Sequence, residues 1–557
     1  LRYTGGTVTT ARGFTLAGGN GRIDVAQVTT TLTISGVATG AGNNFIKDGA
    51  GTLVLGGTNT YTGDTIVTAG TLRAGSTRAF GFGGRYMTVD AGATLDLGGY
   101  DIYIAAIIGG GLVDLGGRTV TTAGGPGVFT GRITGTGGFT RGGGSYTQTI
   151  SGCNNHYPGV PPNSRGLAID CTATGGQASA IGASSAAASN LVLAGGTLAY
   201  TGASASTDRG FALTGNGAIN VVETDTVLEF SGDVTGGGQL AKTGAGTLLL
   251  SGTNSSTGRL RIINGAVRAG STTALGSGSM SLDDTAGVLL DLDGYDNDVD
   301  YLIGGGALGG NIALGGATLT INTGGSGAAI YGGAISGSGG LVMNGGSYQQ
   351  LSGCASSYSG TTVINAGTPA VACLEDGGAN SSIGASSSAA GNLVINGGRL
   401  RYVGTGGSTN RQFTLGASSE SRLESWGTGA IAFNHPGPLT FARADKGATQ
   451  QLGGDNTGDN ILAAQIPDNG TGVTRLTKAD AGTWILTNAD SSYTGVTTIS
   501  GGVLGVDKLA DGGVASSIGA SSKDAFNLII GNGSTLRYTG RGDTTNRLFT
   551  PSEGVTF

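Results

Sequence analysis

The chain has 557 residues, among them 115 glycines and 9 prolines, and only 11% of its residues are charged. This glycine content approaches that of disordered chains, but a hydrophobic fraction of 38% is too high for that class, so a periodic fold is expected to accommodate the glycines. The net charge of -6 offers no basic surface for nucleic acid or for an anionic membrane, and we expect neither as a partner.

The amino-terminal part of the chain shows no targeting or membrane-spanning segment. It begins LRYTGG, without the basic and apolar regions of a signal peptide, so any such peptide is expected to lie outside this sequence. The most apolar stretch, from Ile102 to Val113, is shorter than a membrane helix, contains three consecutive glycines and lies between Asp101 and Asp114. We predict a buried pair of strands there and no direct insertion of the chain into a membrane.

A glycine-rich stretch, GAGTLVLGGTNTYTGDTIVTAGTLRAG from Gly49 to Gly75, returns in similar form from Gly244 to Gly270. Its short runs, such as TLVL and TLRA, alternate between two faces and are separated by Gly, Asn, Asp and Ser, as strands with one buried face are. Apolar residues recur 19 positions apart in three places and are predicted to point into one core ladder: Leu53 and Leu72, Leu248 and Val267, and Trp484 and Val503.

A coil of about 20 residues that repeats in this way predicts a parallel β-helix, in which each apolar residue lies over its counterpart at the inter-strand spacing of about 4.8 Å. The whole chain would form about 28 coils and a single continuous, elongated rod on the order of 130 Å long. Asn59 and Asn254 occupy matching turns, where they are expected to be hydrogen-bonded within their own coil or stacked in ladders.

Two landmarks recur over longer distances and divide the chain into modules. The first is L-x-Y-x-G followed by R-x-F, at Leu1/Arg12, Leu198/Arg209, Leu400/Arg411 and Leu536/Arg547. The second is Y-x-G after a polar turn, at Tyr61, Tyr157, Tyr358 and Tyr493, with Ser256 replacing the ring in one copy. The predicted modules are residues 1–138, 139–239, 240–340, 341–425 and 426–557.

The last module contains an inserted segment at about residues 426–477. Its part from Trp426 to Pro438 is interpreted either as a binding loop or as a bulge. Both ends of the chain fall inside a module, so the sequence is expected to be a slice of a longer protein.

The pattern G-x-G-T-L-x-L-x-G-x-N-x-Y-x-G-x-T-x-(I/V)-x-x-G-x-L resembles the autotransporter-associated β-strand repeat of secreted bacterial passenger domains. It is carried by residues 49–72, 244–267 and 481–503 and more loosely by 345–367, and it continues in ALGSGS at 274–279 and in SIGASS at 382–387 and 517–522. The resemblance implies a right-handed β-helix exported across the outer membrane to the bacterial cell surface.

The same resemblance implies an adhesin or self-associating protein, whose partner is itself or a receptor or glycan on a host or neighbouring cell. One alternative is a structural subunit of an extracellular fibre or matrix. Another is a polysaccharide-active enzyme, which would need carboxylates grouped with Arg or Lys in a groove. No such group recurs at the coil spacing, and we predict no enzymatic activity and no cofactor.

The four cysteines form two pairs, Cys153 with Cys171 and Cys354 with Cys373, and the members of each pair are separated by about one coil. The equivalent positions near Tyr493 are Ala489 and Lys508, so both cysteines of a pair are absent together. Because stacked coils bring Cα atoms to about 5 Å, we predict the disulfides Cys153–Cys171 and Cys354–Cys373. Buried free thiols and a metal site are the alternatives.

Other candidate sites rest on isolated signals. The two histidines, His156 and His435, have no supporting catalytic motif and are interpreted as loop residues. The RGD tripeptide from Arg541 to Asp543 could engage an integrin, but one tripeptide is close to chance expectation. An acidic stretch is interpreted as a solvated turn, with Ca²⁺ binding as the alternative through Asp291, Asp293, Asp296, Asp298 and Asp300.

Overall fold

The computed structural model describes residues 1–82, 85–143, 146–158, 160–163, 166–324, 329–416 and 421–552. The fold is all-β, with 2% helix, and is a parallel β-solenoid of about 24 turns. The predicted parallel β-helix is therefore confirmed. There are fewer turns than expected, because several of them contain loops that make them longer than the predicted coil.

The chain divides into two compact units, Leu1–Ser277 and Gly278–Phe557. The described strands of the first unit are Arg2–Tyr3, Val8–Thr10, Phe14–Thr15, Gly21–Val25, Thr31–Ile34, Ala38–Thr39, Phe45–Asp48, Thr52–Leu55, Thr65–Val67, Thr71–Ala74, Met87–Val89, Thr94–Asp96, Ile102–Ile104, Ile107–Gly109, Leu112–Asp114, Val120–Thr122, Gly127–Phe129, Arg132–Thr134, Phe139–Arg141, Gln148–Ile150, Val160–Asn163, Leu167–Ile169, Leu191–Leu193, Thr197–Tyr200, Ala205–Thr207, Phe211–Leu213, Gly217–Val221, Val227–Phe230, Val234–Gly236, Leu240–Thr243, Thr247–Leu250, Leu260–Ile262 and Ala266–Ala269.

The second unit has the same construction. Its described strands are Met280–Leu282, Leu289–Asp291, Asn297–Val299, Leu302–Gly304, Asn311–Ala313, Leu319–Ile321, Ala329–Tyr331, Ile335–Ser336, Leu341–Met343, Tyr348–Leu351, Thr362–Ile364, Thr368–Val371, Leu393–Ile395, Arg399–Tyr402, Thr405–Thr409, Thr414–Leu415, Ser421–Ser425, Gly429–Phe433, Thr440–Phe441, Ala448–Gly453, Asn460–Leu462, Thr474–Lys478, Thr483–Leu486, Thr497–Ile499, Val503–Val506, Leu528–Ile530, Thr535–Tyr538 and Thr550–Pro551. Three short 3₁₀ turns complete the described elements, at Ala188–Asn190, Ala390–Asn392 and Ala525–Asn527.

The period-2 pattern of the short runs produces the core. Strand Thr52–Leu55 pairs in parallel with Thr71–Ala74, and Leu53 lies opposite Leu72. Alternate residues of these strands face inward and are buried, because successive side chains of a strand point to opposite faces. Leu248 lies opposite Val267 in the same way, and all four of these residues are fully buried.

The third pair of the predicted ladder requires a correction. Trp484 is buried, but it lies opposite Leu504, whereas Val503 lies opposite Thr483 and is partly exposed. The turn from Leu486 to Tyr493 is one residue longer than the turn from Leu55 to Tyr61, and the coil is lengthened by that residue. A shift of one residue reverses the face that a strand residue occupies, and Val503 is therefore turned outward.

The buried asparagines join neighbouring coils. The amide of Ala38 donates to Oδ1 of Asn59 at 2.7 Å, and Nδ2 of Asn59 donates to the carbonyl of Ala79 at 2.6 Å. Asn254 makes the equivalent pair of bonds at 2.8 and 2.7 Å. Each asparagine thus bridges the coil before it to the coil after it, an arrangement that differs from both predicted ones.

The apolar stretch that begins at Ile102 contains three short strands rather than two, at Ile102–Ile104, Ile107–Gly109 and Leu112–Asp114. They belong to successive faces of the solenoid, since each pairs with a strand of a neighbouring coil. Among the described residues, no helix is long and apolar enough to cross a membrane.

Candidate binding surface

The structure joins the cysteines in the two predicted pairs. Cys153 is bonded to Cys171 with a Cα–Cα distance of 5.6 Å, and Cys354 is bonded to Cys373 with a distance of 5.5 Å. Each bond links a turn of one coil to the start of the loop that follows the next strand of the ladder, Leu167–Ile169 or Thr368–Val371. The disulfides therefore staple a loop to the coil beneath it.

A repeated arginine holds the same loops from the other side. Arg411 donates from Nε to the carbonyl of Glu375 at 3.0 Å, from Nη1 to Ser386 Oγ at 2.9 Å and from Nη2 to the carbonyl of Gly384 at 2.9 Å. Arg209 and Arg547 make equivalent bonds to their own loops. The R-x-F landmark of the sequence thus marks the residue that clamps a loop against the solenoid.

Three buried lysines were not identified from the sequence. Lys47, Lys242 and Lys478 are fully buried, and each ammonium donates to three main-chain carbonyls at distances between 2.7 and 3.1 Å. Burial lowers the pKa of each lysine from 10.5 to about 8. The recoverable signal was the lysine that precedes the strand threonine in the pattern K-x-(G/D)-A-G-T.

The carbonyl cages depend on a left-handed residue two positions after each lysine. Gly49 and Gly244 have φ of 76°, and Asp480 takes their place with φ of 60°. A Cβ built on Gly244 would lie 2.2 Å from the carbonyl oxygen of Val221, so glycine is required there both by φ and by the close approach of the neighbouring coil.

The histidines make local contacts. Nδ1 of His156 lies 3.1 Å from the carbonyl oxygen of Asn154, and Nδ1 of His435 accepts a bond from the amide of Gly437 at 3.0 Å. His156 also borders a surface concavity of about 820 Å³, lined mainly by Gly, Thr and other small residues, with Arg132 at its edge. No carboxylate is among the described residues that line it, so a pair of acids for glycoside hydrolysis is missing from this part of the structure.

The five acids of the Ca²⁺ candidate are not brought together. Asp291 Oδ1 accepts from the amide of Asp293, Asp296 Oδ1 from that of Thr318, and Asp300 Oδ1 from that of Gly324. Asp298 is exposed on a strand. Within the described ranges, no group of three or more His, Cys, Asp or Glu residues could hold a metal ion. These carboxylates serve the turns in which they lie.

The aspartate of the RGD tripeptide is occupied within the fold. Its carboxylate accepts bonds from Lys508 Nζ at 2.9 Å, from the amide of Leu509 at 3.0 Å and from the Tyr538 hydroxyl at 2.9 Å. The hydrogen bond from the Leu509 amide and the Lys508 ammonium together hold the pKa of Asp543 below its ordinary value. Lys508 stands where the other modules have Cys171 and Cys373, so this ion pair replaces the disulfide as the fastener of the loop.

The inserted segment of the last module forms regular coils. Strand Gly429–Phe433 pairs in parallel with Thr405–Thr409 on one side and with Asn460–Leu462 on the other. Ile431 and Phe433 point into the core and are buried. The segment therefore continues the solenoid and is neither of the two predicted forms, a loop or a bulge.

Trp426, at the start of this segment, belongs to a surface cluster of Arg399, Arg401, Arg422, Glu424 and Trp426, the arginine–tryptophan cluster. Strands Arg399–Tyr402 and Ser421–Ser425 are in register, with Arg399 opposite Arg422 and Arg401 opposite Glu424. Leu423 is in the core, so the neighbouring Arg422 and Glu424 lie on the outer face of the sheet.

Glu424 lies at the centre of the cluster, beneath its neighbours. Its carboxylate is 2.7 Å from Nε of both Arg401 and Arg422 and 3.6 Å from Nη1 of Arg399. Arg422 also pairs with Asp480. Burial would raise the pKa of Asp480, but the Gly454 amide and Arg422 hold it below its ordinary value. Three guanidinium groups against two carboxylates leave the cluster positively charged.

The indole of Trp426 is fixed in place. Its Nε1 donates to Glu424 Oε2 at 3.0 Å, and the guanidinium carbon of Arg401 lies 4.6 Å from the ring centroid. Arg401 is also 5.8 Å from the ring centroid of Tyr348. The Trp426 residue is nevertheless 41% exposed, and the Arg399 side chain is 48% exposed. The cluster therefore presents a held aromatic surface beside a cation that faces solvent.

A parallel β-solenoid with repeated cages, clamps and staples and an outward-facing aromatic surface is the architecture of a passenger-type surface protein. The passenger-associated-transport-repeat family matches residues 45–74, 240–269, 336–368 and 476–506, which correspond to the four stretches predicted from the sequence. The resemblance to autotransporter repeats is thus confirmed.

One relative is similar along the entire chain. The chain is 59% identical to the adhesin BmaC autotransporter of Brucella suis biovar 1 (strain 1330) over 562 residues, which cover 100% of the chain and 16% of that protein. No solved structure gives a significant match. The repeats and this relative identify the chain as autotransporter passenger sequence, which is exported to the bacterial cell surface.

Proposed function

We propose that this chain acts in adhesion, by contacting another cell surface or a second copy of itself through the outer faces of the solenoid. The 59% identity to an adhesin over the entire chain is the observation that carries this proposal. The chain spans 16% of the length of that relative, so the proposal concerns the part that this chain would contribute.

The surface is consistent with binding rather than with turnover. The arginine–tryptophan cluster offers an exposed ring and an exposed cation, whereas the described lining of the largest concavity contains no carboxylate. We therefore expect purified protein to release neither reducing nor unsaturated sugar ends from polysaccharides. Turnover of any glycan by the pure chain would favour the enzyme alternative instead.

Adhesion is tested with beads that carry the purified chain at a fixed density. We expect such beads to bind epithelial cells, or one another, more than beads coated with a denatured, alkylated sample of the same chain. Clumping of beads without cells would indicate self-association, and binding to cells without clumping would indicate a receptor or glycan. Equal binding by the native and denatured coatings would contradict the proposal.

A further inference from the structure

We infer that the arginine–tryptophan cluster binds a saccharide that bears a carboxylate. The inference rests on the proposed adhesive function and adds to it a place on the chain and a class of ligand. It begins from two exposed groups with different chemistry, the Trp426 ring and the Arg399 guanidinium, which flank one buried carboxylate.

The cluster already shows which anion it accommodates. Arg401 and Arg422 each contact the Glu424 carboxylate at 2.7 Å, while Arg399 is held at 3.6 Å and faces solvent. A planar guanidinium pairs with a carboxylate through two parallel hydrogen bonds, so Arg399 presents this fork to an incoming acid. The positive charge of the cluster, on a chain of net charge -6, concentrates anions at this place.

The ring defines the rest of the ligand. Trp426 is held by its bond to Glu424 and by Arg401 against its face, so little freedom is lost when a ligand packs on it. A flat apolar surface with polar groups at its edge suits a pyranose ring, which has apolar C–H faces and hydroxyl groups around its rim. A carboxylate on that ring can then reach Arg399 while the ring lies on the indole.

The strands make the site rigid. Arg399, Arg401, Arg422 and Glu424 lie on two paired strands, and the main chain of Trp426 is bonded to the carbonyl of Tyr402 at 2.8 Å. Because the groups face outward from a sheet, a long polysaccharide or a terminal sugar has access to them. The same chemistry is supplied by uronic acids and by sialic acids, which share the carboxylate and the pyranose ring.

The test measures binding of the intact chain to matched pairs of probes by calorimetry or by saturation-transfer NMR. One pair is oligogalacturonate and its methyl ester, and another is sialyllactose and lactose. We expect binding to at least one carboxylated probe and at least about tenfold weaker binding to its neutral partner, from loss of the charge-assisted pair. The two pairs distinguish a uronate from a sialate as the source.

Variants place the binding on the cluster. Arg399→Gln and Trp426→Ala should each weaken binding about tenfold, and Trp426→Tyr should retain most of it. The controls are Arg73→Gln, an exposed arginine paired with Asp96, and Tyr103→Ala, an exposed ring of 61%, and neither should change binding. Circular dichroism and thermal melting confirm that each variant is folded.

Three results would overturn the inference: no binding of either carboxylated probe at millimolar concentration, equal binding of the ester, or unchanged binding by Arg399→Gln and Trp426→Ala. Binding of dextran sulfate alone would also overturn it, because the site would then recognise sulfate. The bead assay is run on the same samples. Beads that adhere without saccharide binding would contradict the inference alone, and saccharide binding without adhesion would contradict the adhesive function alone.

Discussion

A buried lysine whose ammonium group is bonded to three main-chain carbonyls is the most repeated polar device of this chain at the scale of the residue. Burial of the charge is unfavourable, and the pKa of about 8 expresses this. The carbonyls offset part of the cost, since each ammonium finds three acceptors. Met343 stands at the corresponding place of another module, so the fold also accepts an uncharged side chain of similar length.

Replacement of Lys242 by Met should change how stability depends on pH. The folded pKa of Lys242 is about 8 and its ordinary value is 10.5, so between these values the unfolded chain binds more protons. Stability conferred by this site therefore rises with pH across that window, by roughly 1 kcal/mol per pH unit, and Lys242→Met should remove that part.

Denaturant unfolding at pH 7, 8, 9 and 9.5 measures the effect of this substitution. Above about pH 10 the unfolded tyrosines ionise, which lowers stability and would obscure the lysine effect. Lys523→Met, at an exposed lysine, is the matched control and should leave the slope unchanged. The same pH slope in Lys242→Met and in the wild type would contradict the interpretation of the cage.

The buried tyrosines of the Y-x-G landmark make a second residue-level prediction. The Tyr358 hydroxyl lies 2.7 Å from Thr362 Oγ1, and both residues are buried. Tyr358→Phe should lower stability by about 1 kcal/mol, because the Thr362 hydroxyl then remains buried without this partner. Thermal melting measures the change. Tyr103→Phe, at an exposed ring, should have no effect, and equal melting temperatures for both variants would refute the prediction.

At the scale of the element, the loops after Cys171, Cys373 and Lys508 are each fastened twice. One fastener is the arginine clamp and the other is a disulfide or, in the last module, the Lys508–Asp543 ion pair. The ion pair is exposed and is therefore worth little alone. Closing a loop of one coil by a disulfide, with sequence separations of 18 and 19, is worth about 3 kcal/mol in the chain-entropy model.

Loss of the clamp should release its loop. Arg411→Met removes the donors to the carbonyls of Glu375 and Gly384, and we expect faster cleavage by glutamyl endopeptidase after Glu375. Limited proteolysis with mass spectrometry locates the cut. Arg475→Met, at an exposed arginine of the same unit, should be cut at the wild-type rate. A wild-type rate for Arg411→Met as well would show that the clamp is dispensable.

The disulfides should add local rather than global stability. Cys354→Ser with Cys373→Ser should further accelerate cleavage after Glu375, because the loop loses its covalent anchor. The loop after Lys508 should be cut at an unchanged rate in that variant, and it serves as the internal control. Mass spectrometry of a non-reduced digest gives a direct check, since a peptide linking Cys171 to Cys354 is incompatible with the structure.

The sequence predicted the elements better than the sites. The recurring interval was sufficient for Leu53, Leu72, Leu248 and Val267, but one extra turn residue displaced the register at Val503. The arginine–tryptophan cluster could not be derived, because Arg401 and Glu424 are far apart in the sequence and meet only through strand pairing. The lysine cages were visible as a repeated letter, yet a lysine in a polar turn ordinarily indicates exposure.

At the scale of the whole molecule, the described strands pair with strands of neighbouring coils. Stability in such a fold is close to a sum of local and nearest-neighbour contributions. The described contacts of Lys242 lie in the unit Leu1–Ser277 and those of Lys478 in the unit Gly278–Phe557. Perturbations at the two lysines share no partner.

The double variant Lys242→Met, Lys478→Met should therefore show the sum of the two single effects on the pH slope, within about 0.5 kcal/mol. Denaturant unfolding over the same pH range measures it. Tyr358→Phe combined with Thr362→Val provides the contrast, since these residues are in contact and their effects should not add. A marked departure from the sum for the two lysines would indicate a fold more cooperative than its contacts imply.

The regular coils built by the inserted segment suggest how such a protein changes size in evolution. Ala432 lies opposite Ile461, so the chain between them makes one whole turn, and gain or loss of that unit leaves the inward and outward faces of both neighbours as they were. A gain of one residue within a strand would instead turn apolar side chains to solvent. Selection can therefore adjust the reach of this protein from the cell in discrete steps, while the chemistry on its flanks varies independently.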